Sequence, residues 1–549
     1  MSIDPREERN VIPAWHPLVA LERRDLQSRG RFGHDAPINT SHDFATHLKI
    51  WRGESNLSAA SDIFDTFLLT GDYALLREAS RIFQANEKSL PVRLRNSLTA
   101  AFQPERDPLQ VRKLIAFREL DDEYLRKSIR VLKRRLGEFP RDALSYLEIA
   151  RVYTVLGEFD AADRSLGLAR ALAPDDRNIL RATLRFYDTV AELEEGLRIV
   201  RKSERLSFDP WIQSAEIATS TLLGKVSRVA DRRLIQFGSD GFVLRERTEL
   251  AMAMATLERQ DGKPERKIFQ LVAQALPHST ENGFAQAVWL SDNSSRDFSH
   301  RFPDAEPSSE AFEARVQIAI EQRELDLAVG LAELWLEDQQ FNLRAILQYL
   351  DLSSIHNRPT PMALRLAKRF MQVYADNWHV LNACVLVLVE GHDFENAKLA
   401  LNRLERAAPE GVHRAFVEAA HGFLAFAQGD FAEGRQRYER ATRISSDGKR
   451  NDLLVDSTIF WFRCEASNGL MSEEYIAEMS GLIERALRHV QKEHKSYLQT
   501  TWHSVKNHIL PSENNADEPG ATRLREVAVT TLDEHIWQAA DGLLPIGRG

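Results

Sequence analysis

Features of secreted and membrane-spanning proteins are scarce in this chain. Only two cysteines, Cys384 and Cys464, occur in 549 residues, and both lie in apolar sequence of helical character. We therefore expect buried free thiols in a reducing compartment rather than a disulfide. The longest nearly apolar run, 380–389, contains Asn382 and is too short to span a bilayer. The first residues, MSIDPREERN, have no apolar core of the signal-peptide kind. A cytoplasmic protein without membrane insertion is the expectation.

The chain also lacks an excess of positive charge. It carries 72 Lys and Arg against 81 Asp and Glu, a net charge of −9. Binding to a phosphate backbone needs a concentrated basic face, so nucleic acid is not an expected partner. The densest basic run, 126–135, follows a group of acids at 119–123. Because acids before bases suit the helix dipole, we interpret this run as a solvated helix face, with a phosphate contact as the alternative.

Motifs of catalysis are lacking too. The chain has no phosphate-binding loop, dinucleotide fingerprint, nucleophile elbow, HExxH or CxxC. Arg9–Asn10 followed by His16 loosely resembles the Arg–polar–x–His motif of HEPN-type ribonucleases, although Pro13 intervenes. His–Asp dipeptides are similar to those of HD-type metal phosphohydrolases but lack correctly spaced partners; they stand at 34–35, 42–43 and 392–393. Four histidines near 489–508 have i,i+5 spacing, which does not place pairs on one helix face. We predict no enzyme activity, cofactor or metal.

A 34-residue period is the main positive feature, clearest at 143–176 and 378–411. Small, aromatic and proline residues recur at fixed offsets in the first of these blocks: Tyr146, Ala150, Tyr153, Gly157, Phe159, Ala162, Leu166, Ala169 and Pro174. This pattern resembles the tetratricopeptide repeat, in which two antiparallel helices form each unit. Since one unit cannot bury its apolar face alone, neighbouring units must stack. The resemblance implies an all-α fold, an α-α superhelical solenoid of tetratricopeptide-like helix pairs.

The period predicts the organisation of the chain. It is well kept at 143–210 and 309–448 and degenerate elsewhere, and 292–309 is polar with two prolines. The predicted parts are an N-terminal arm or cap (1–56), a partly degenerate N-terminal repeat block (57–291), a linker or loop (292–308), a C-terminal repeat block (309–510), a second linker (511–521), and an amphipathic helix with its tail (522–549).

The resemblance implies that the first helix of each unit lines a concave groove. In the N-terminal block this gives a polar, basic stripe suited to an acidic or C-terminal peptide, with ordinary solvated charge as the alternative. The candidate partner-binding residues there are Arg151, Asn178, Arg181 and Arg185. The two-carboxylate clamp of chaperone-binding members is not reproduced, because Leu147 and Arg151 stand at the corresponding first-unit positions.

In the C-terminal block the same reasoning gives an apolar groove. Its candidate partner-binding residues are Asn382, Leu386, Val389, Phe423 and Phe426. The helix HVLNACVLVLV is apolar nearly all round, so something should cover it. Either a partner helix lies in the groove, or the chain's own C-terminal helix covers it.

The predicted function is that of a non-catalytic scaffold or adaptor that binds a protein partner, as a peptide or helix in its groove. Two alternatives stay open: a regulatory subunit that controls a separate enzyme, and a helical hydrolase or ribonuclease. Homo-oligomerisation is open as well.

Overall fold

The structure is a computed structural model that describes residues 9–15, 122–138, 140–230, 244–292, 294, 298–307, 311–355, 359–490 and 492–509. All regular elements within those residues are helical. Residues 57–121 of the predicted N-terminal repeat block, the linker at 511–521 and the amphipathic helix with its tail at 522–549 lie outside them. The described chain divides into two compact units: unit 1 takes its residues from 8–315 and 333–345, and unit 2 from 316–332 and from 346 onward.

Ten α-helices lie in the part of unit 1 that the structure describes. In chain order these are α1 (Asp122–Glu138), α2 (Ala143–Leu156), α3 (Phe159–Leu172), α4 (Arg177–Thr189), α5 (Leu193–Val200), α6 (Pro210–Leu222), α7 (Leu244–Gln260), α8 (Glu265–Ala275), α9 (Glu281–Asp292) and α10 (Phe298–Arg301). Neighbours pack as pairs, α2 with α3, α4 with α5 and α7 with α8, and the first helices of successive pairs also touch. The predicted all-α fold of packed helix pairs is confirmed.

Three further helices fall partly in each unit: α11 (Phe312–Glu321), α12 (Leu325–Asp338) and α13 (Leu343–Ile355). Unit 2 continues with α14 (Pro361–Val373), α15 (Trp378–Glu390), α16 (Phe394–Ala407), α17 (Arg414–Ala427), α18 (Phe431–Asp447), α19 (Asn451–Ser467), α20 (Glu473–Leu487) and α21 (Lys492–Ile509). Here the pairs are α15 with α16, α17 with α18 and α19 with α20.

Acidic and amide side chains begin many of these helices. Asp142 accepts a hydrogen bond from the Ser145 amide at the start of α2, and Asp176, one repeat later, does the same for α4. Such caps satisfy amides that the first helical turn leaves without partners. The turn between α2 and α3 is made by Gly157, whose φ of 77° is costly for residues with a side chain.

Small residues stand where paired helices approach most closely. Ala162 and Ala397 are fully buried in second helices. At the equivalent position of α18 stands Gly434, where an added Cβ would lie 2.5 Å from the Phe426 ring. The offsets that the repeat pattern emphasised are therefore packing positions.

Part of the predicted linker at 292–308 is packed against unit 1. It contains α10, whose Phe298 is buried with its ring 5.3 Å from that of Phe284 and 5.5 Å from that of Phe302. Arg301 lies over the Phe269 ring at 3.6 Å. The polar composition concealed these two aromatic side chains, which fix the segment to its neighbours.

None of the helices in the described ranges has both the length and the apolar character required to cross a bilayer. Cys384 and Cys464 are buried free thiols, as expected. Burial raises the pKa of both thiols, so neither is a reactive thiolate.

Candidate functional site

A short segment near the N-terminus, Arg9 to Trp15, lies buried against the first helices of unit 1. We call residues 9–15 the N-terminal segment; its sequence is RNVIPAW. Val11 is fully buried, and the exposed fraction of Trp15 is 5%. The segment has no helical hydrogen bonds of its own, so its polar main chain must find partners in the helices.

The Arg9 guanidinium is bound on three sides. Its Nε and Nη2 donate to the two carboxylate oxygens of Glu313 on α11, at 2.7 and 2.9 Å. Nη1 donates to the side-chain oxygen of Gln286 on α9 at 2.6 Å, and Nη2 also donates to Asn282. The fork-shaped pairing with Glu313 uses the planar geometry that distinguishes arginine from lysine.

Glu313 is ionised because two arginines face it. Burial alone would raise the pKa of its carboxyl group, but Arg9 and Arg344 outweigh burial and lower this pKa to about 2. Arg344 donates to Glu313 at 3.0 Å from the start of α13. The carboxylate therefore carries a full negative charge across the physiological range and requires cations beside it.

Side chains of unit 1 also bind the main chain of the N-terminal segment. Arg185 on α4 donates to the carbonyl oxygens of Pro13 and Ile12, at 2.8 and 3.0 Å. Asn282 donates to the Ile12 oxygen at 3.1 Å, and Gln286 donates to the Arg9 oxygen at 3.1 Å. Pro13 has no amide hydrogen to satisfy. These contacts bind the main chain of a non-helical peptide segment.

Trp15 joins the segment to the hydrophobic core of unit 1. Its ring meets Phe341 edge to face, with the ring centroids 5.3 Å apart. The same core cluster contains Leu125, Leu147 and Phe186. An arginine at one end and an indole at the other thus fix the segment, with main-chain contacts between them.

The four predicted basic-stripe residues have different contacts. Arg185 binds the N-terminal segment and also pairs with Asp188 at 2.7 Å. Arg151 is buried and pairs with Glu148 at 2.7 Å, while Arg181 pairs with Glu249 at 3.0 Å. Asn178 is half-buried on α4. Because these arginines pair with glutamate and aspartate side chains of unit 1, the stripe is less basic than the sequence suggests. Its role in binding another protein stays a prediction.

The five predicted apolar-groove residues lie in the interior of unit 2. The exposed fractions are 8% for Asn382, 1% for Val389, 6% for Phe423 and 2% for Phe426, and Leu386 is half-buried. They are covered by the chain's own side chains.

Helix α19 supplies much of this cover. The Phe460 ring of α19 meets that of Phe423 at 6.2 Å, and Arg463 of α19 lies over both rings. Arg463 also pairs with Glu390 at the end of α15. The sequence allowed a partner helix or the chain's own C-terminal helix as the cover. The predicted C-terminal helix lies outside the described residues, and the contacts seen are made by α19, the first helix of the next pair. A partner-binding role for these residues stays a prediction, and burial leaves them little surface for it.

The catalytic patterns have structural roles where the structure describes them. Arg9 pairs with Glu313, and Asn10 donates to the Ala218 carbonyl at 3.3 Å; His16 lies outside the described residues. Asp393 of the His392–Asp393 dipeptide caps α16 and pairs with Lys368. In the part of the chain that the structure describes, no group of His, Cys, Asp or Glu side chains could hold a metal ion.

Sequence reasoning missed Gln286, Asn282 and Glu313. Gln286 has no exposed surface, and a wholly buried glutamine in the apolar text FAQAVWL indicates a bound polar group. The pattern NVIPAW is likewise an apolar island in a polar arm. Nothing in the sequence connects these signals, because they lie more than 270 positions apart.

The comparisons with known proteins are sparse. No protein family matches the sequence, and no curated protein matches it. Among solved structures, the chain is similar to the crystal structure of yeast Tom70, with 13% identity, a TM-score of 0.28, and coverage of 89% of this chain and 96% of that one. A likeness at this TM-score contributes nothing to the functional inference.

Proposed function

We propose that this protein is a non-catalytic scaffold of the tetratricopeptide family that binds a partner protein where the N-terminal segment lies. We call this surface, formed by α4, α6, α9 and α11, the groove of unit 1. The single observation that supports this most is the non-helical N-terminal segment, which contacts α4, α6, α9 and α11 and has its carbonyl oxygens bound by side chains of α4 and α9. A surface that binds one non-helical segment has the chemistry to bind another of the same kind.

The groove is suited to peptide binding because its donors are held in place before the ligand arrives. Gln286 is hydrogen-bonded to Thr256 at 2.9 Å, and Arg185 to Asp188 at 2.7 Å. A preorganised site loses less conformational entropy on binding, so fewer contacts are needed for a given affinity.

A non-catalytic role and a cytoplasmic location belong to the same proposal. The polar groups of the groove are engaged in binding carbonyl oxygens and a guanidinium, as expected of a recognition surface. Two buried free thiols suit a reducing compartment.

Peptide binding by the full chain tests this proposal. In the variant Arg9→Ala/Trp15→Ala the N-terminal segment loses both of its end contacts, which frees the groove. We expect a fluorescent synthetic peptide with the sequence of residues 4–18 to bind this variant saturably. Adding Gln286→Leu, which removes the donor and acceptor of that side chain, should abolish binding. A folded, freed variant that binds no peptide would contradict the proposal.

A further inference from the structure

We propose that the groove of unit 1 selects partner segments by an arginine followed six residues later by a tryptophan, and that such a segment displaces residues 9–15. This inference rests on the proposed function and names the kind of partner. The donor is a different protein that carries a non-helical segment of this chemistry.

The arginine position is the most specific part of the groove. The Arg9 guanidinium donates five hydrogen bonds, to Glu313, Gln286 and Asn282, from Nε and both Nη atoms. A lysine ammonium has three donors at one point and cannot match a planar set of acceptors of this width. A neutral side chain of the same length would leave the carboxylate without the positive charge of this partner.

The negative charge of Glu313 also favours an arginine at this position. Glu313 is largely buried, with 13% of its side chain exposed, and it faces Arg344 as well as Arg9. Removing one cation from a buried ion pair is costly because the remaining charge is poorly solvated. A segment that displaces Arg9 must therefore bring a cation of its own to the same place.

The tryptophan position gives the second requirement. Trp15 fills the core cluster that includes Leu125, Ile129 and Phe341. Between the two ends, the groove binds carbonyl oxygens of residues 9, 12 and 13, which any sequence supplies. Selectivity should therefore reside mainly at the two end positions, with a weaker preference at position 10, where the buried Asn10 side chain donates to the Ala218 carbonyl oxygen.

The donor is a different protein rather than a second copy of this chain. A second copy already holds its own segment in its own groove, so exchange between copies would gain no contacts. A tethered segment also competes at an effective concentration of roughly millimolar, which an equal segment in solution would have to exceed. A partner succeeds by offering the same end groups with better contacts between them.

The experiment compares three synthetic peptides of residues 4–18: one with arginine at position 9, one with lysine there and one with citrulline, the neutral analogue of arginine. Each is titrated by fluorescence anisotropy into the full wild-type chain and into Arg9→Ala/Trp15→Ala. We expect the arginine peptide to bind the variant at least about tenfold more tightly than the wild type, because the tethered competitor is weakened. Lysine and citrulline should each weaken binding by about tenfold or more.

A neutral variant of Glu313 with nearly the same shape identifies the groove residue responsible. In Arg9→Ala/Trp15→Ala/Glu313→Gln, the preference for arginine over citrulline should fall to about threefold or less, because the carboxylate is gone. If Trp15→Ala prevents folding, as judged by circular dichroism, Arg9→Gln alone provides the chain with a weakened segment, since it keeps Trp15 in the core.

The outcomes separate the two proposals. Equal binding of the three peptides overturns the selectivity while leaving peptide binding intact. No binding of any peptide to a folded variant overturns the proposed function itself. A dimer of the wild type with the Arg9→Ala/Trp15→Ala variant, seen by sedimentation, would identify a second copy as the donor and overturn the assignment to a different protein.

Discussion

The inner faces of the two units are built from first helices of the same repeat but are filled in different ways. In unit 1 a non-helical segment with an arginine and a tryptophan lies against polar side chains of α4 and α9. In unit 2 the rings of Phe423 and Phe460 meet directly, and Arg463 covers them. In unit 1 the helices are covered by a segment of the chain whose carbonyl oxygens they bind, whereas in unit 2 they are covered by one another's apolar side chains.

The difference follows from the side chains that each repeat presents. Apolar side chains bury one another without regard to direction, so helices that carry them pack together. Polar side chains such as Gln286 cannot be buried alone and must bind a group with matching hydrogen bonds. An extended peptide main chain offers these groups at regular intervals.

The largest expected effect is that of a charge in the core of unit 2. Phe423→Glu places a carboxylate beside Phe460 and should destabilise the protein by about 4 kcal/mol or more. Phe423→Leu, the matched apolar control, should cost much less. Urea denaturation followed by circular dichroism measures both. A glutamate variant as stable as the leucine variant would mean that this face is open to solvent, as a groove would be.

Loss of the arginine in the N-terminal segment should have the next largest effect. Arg9→Ala leaves Glu313 with Arg344 as its cation and should cost about 3 kcal/mol, near the lower end for a broken buried pair. The control is Arg198→Ala, which breaks an exposed pair with Glu195 and should leave stability unchanged. Equal urea midpoints for the two variants would show that the Arg9 pair is not buried.

Lowering the pH should reduce the stability of unit 1, because Glu313 becomes protonated. Because its pKa is lowered to about 2 in the folded protein, its stabilising contribution is full above its ordinary value of 4.5 and is lost as the pH falls toward 2. The loss is at most about 3 kcal/mol. The effect of Glu390 in unit 2 on the pH dependence of stability has the opposite sign. Burial raises the pKa of its carboxyl group, although Arg463 opposes this, so protonation of Glu390 favours the folded state at low pH.

Stability measured between pH 6 and about 2.5 checks this difference. The stability of the wild type should fall as the pH drops below the ordinary glutamate pKa. In Glu313→Gln this fall should be smaller. An unchanged pH profile in this variant would show that another group is responsible.

Two glycines give the smallest effect and a direct comparison of packing. Gly196 of unit 1 and Gly434 of unit 2 occupy the same position in their repeats. An added Cβ would lie 3.2 Å from a Leu184 methyl group in the first case and 2.5 Å from the Phe426 ring in the second. Gly434→Ala should cost about 1–2 kcal/mol, and Gly196→Ala should be nearly neutral because alanine favours the helix. Thermal melts of both variants test the order.

Much of the fold was predictable because packing leaves a periodic signature. Ala162 and Gly157 stand at offsets set by helix crossing and chain reversal, and these requirements repeat with every pair. The binding of the N-terminal segment in the groove of unit 1 was not predictable from this period. Arg9 and Glu313 meet through a contact that occurs once and spans 304 positions, so no period reports it. Arg185 was singled out for an outside ligand, and its acceptors are the carbonyl oxygens of residues 12 and 13.

Amide hydrogen exchange at the N-terminal segment tests the central claim most directly. The Val11 amide donates to the Asn10 side chain, the Ile12 amide donates to the Asn10 carbonyl, and both residues are buried. We predict that a fragment covering residues 9–15 of the full chain is protected at neutral pH, and that Gln286→Ala removes much of this protection. Exchange of these amides at the rate of a free peptide in the wild-type chain would contradict the account.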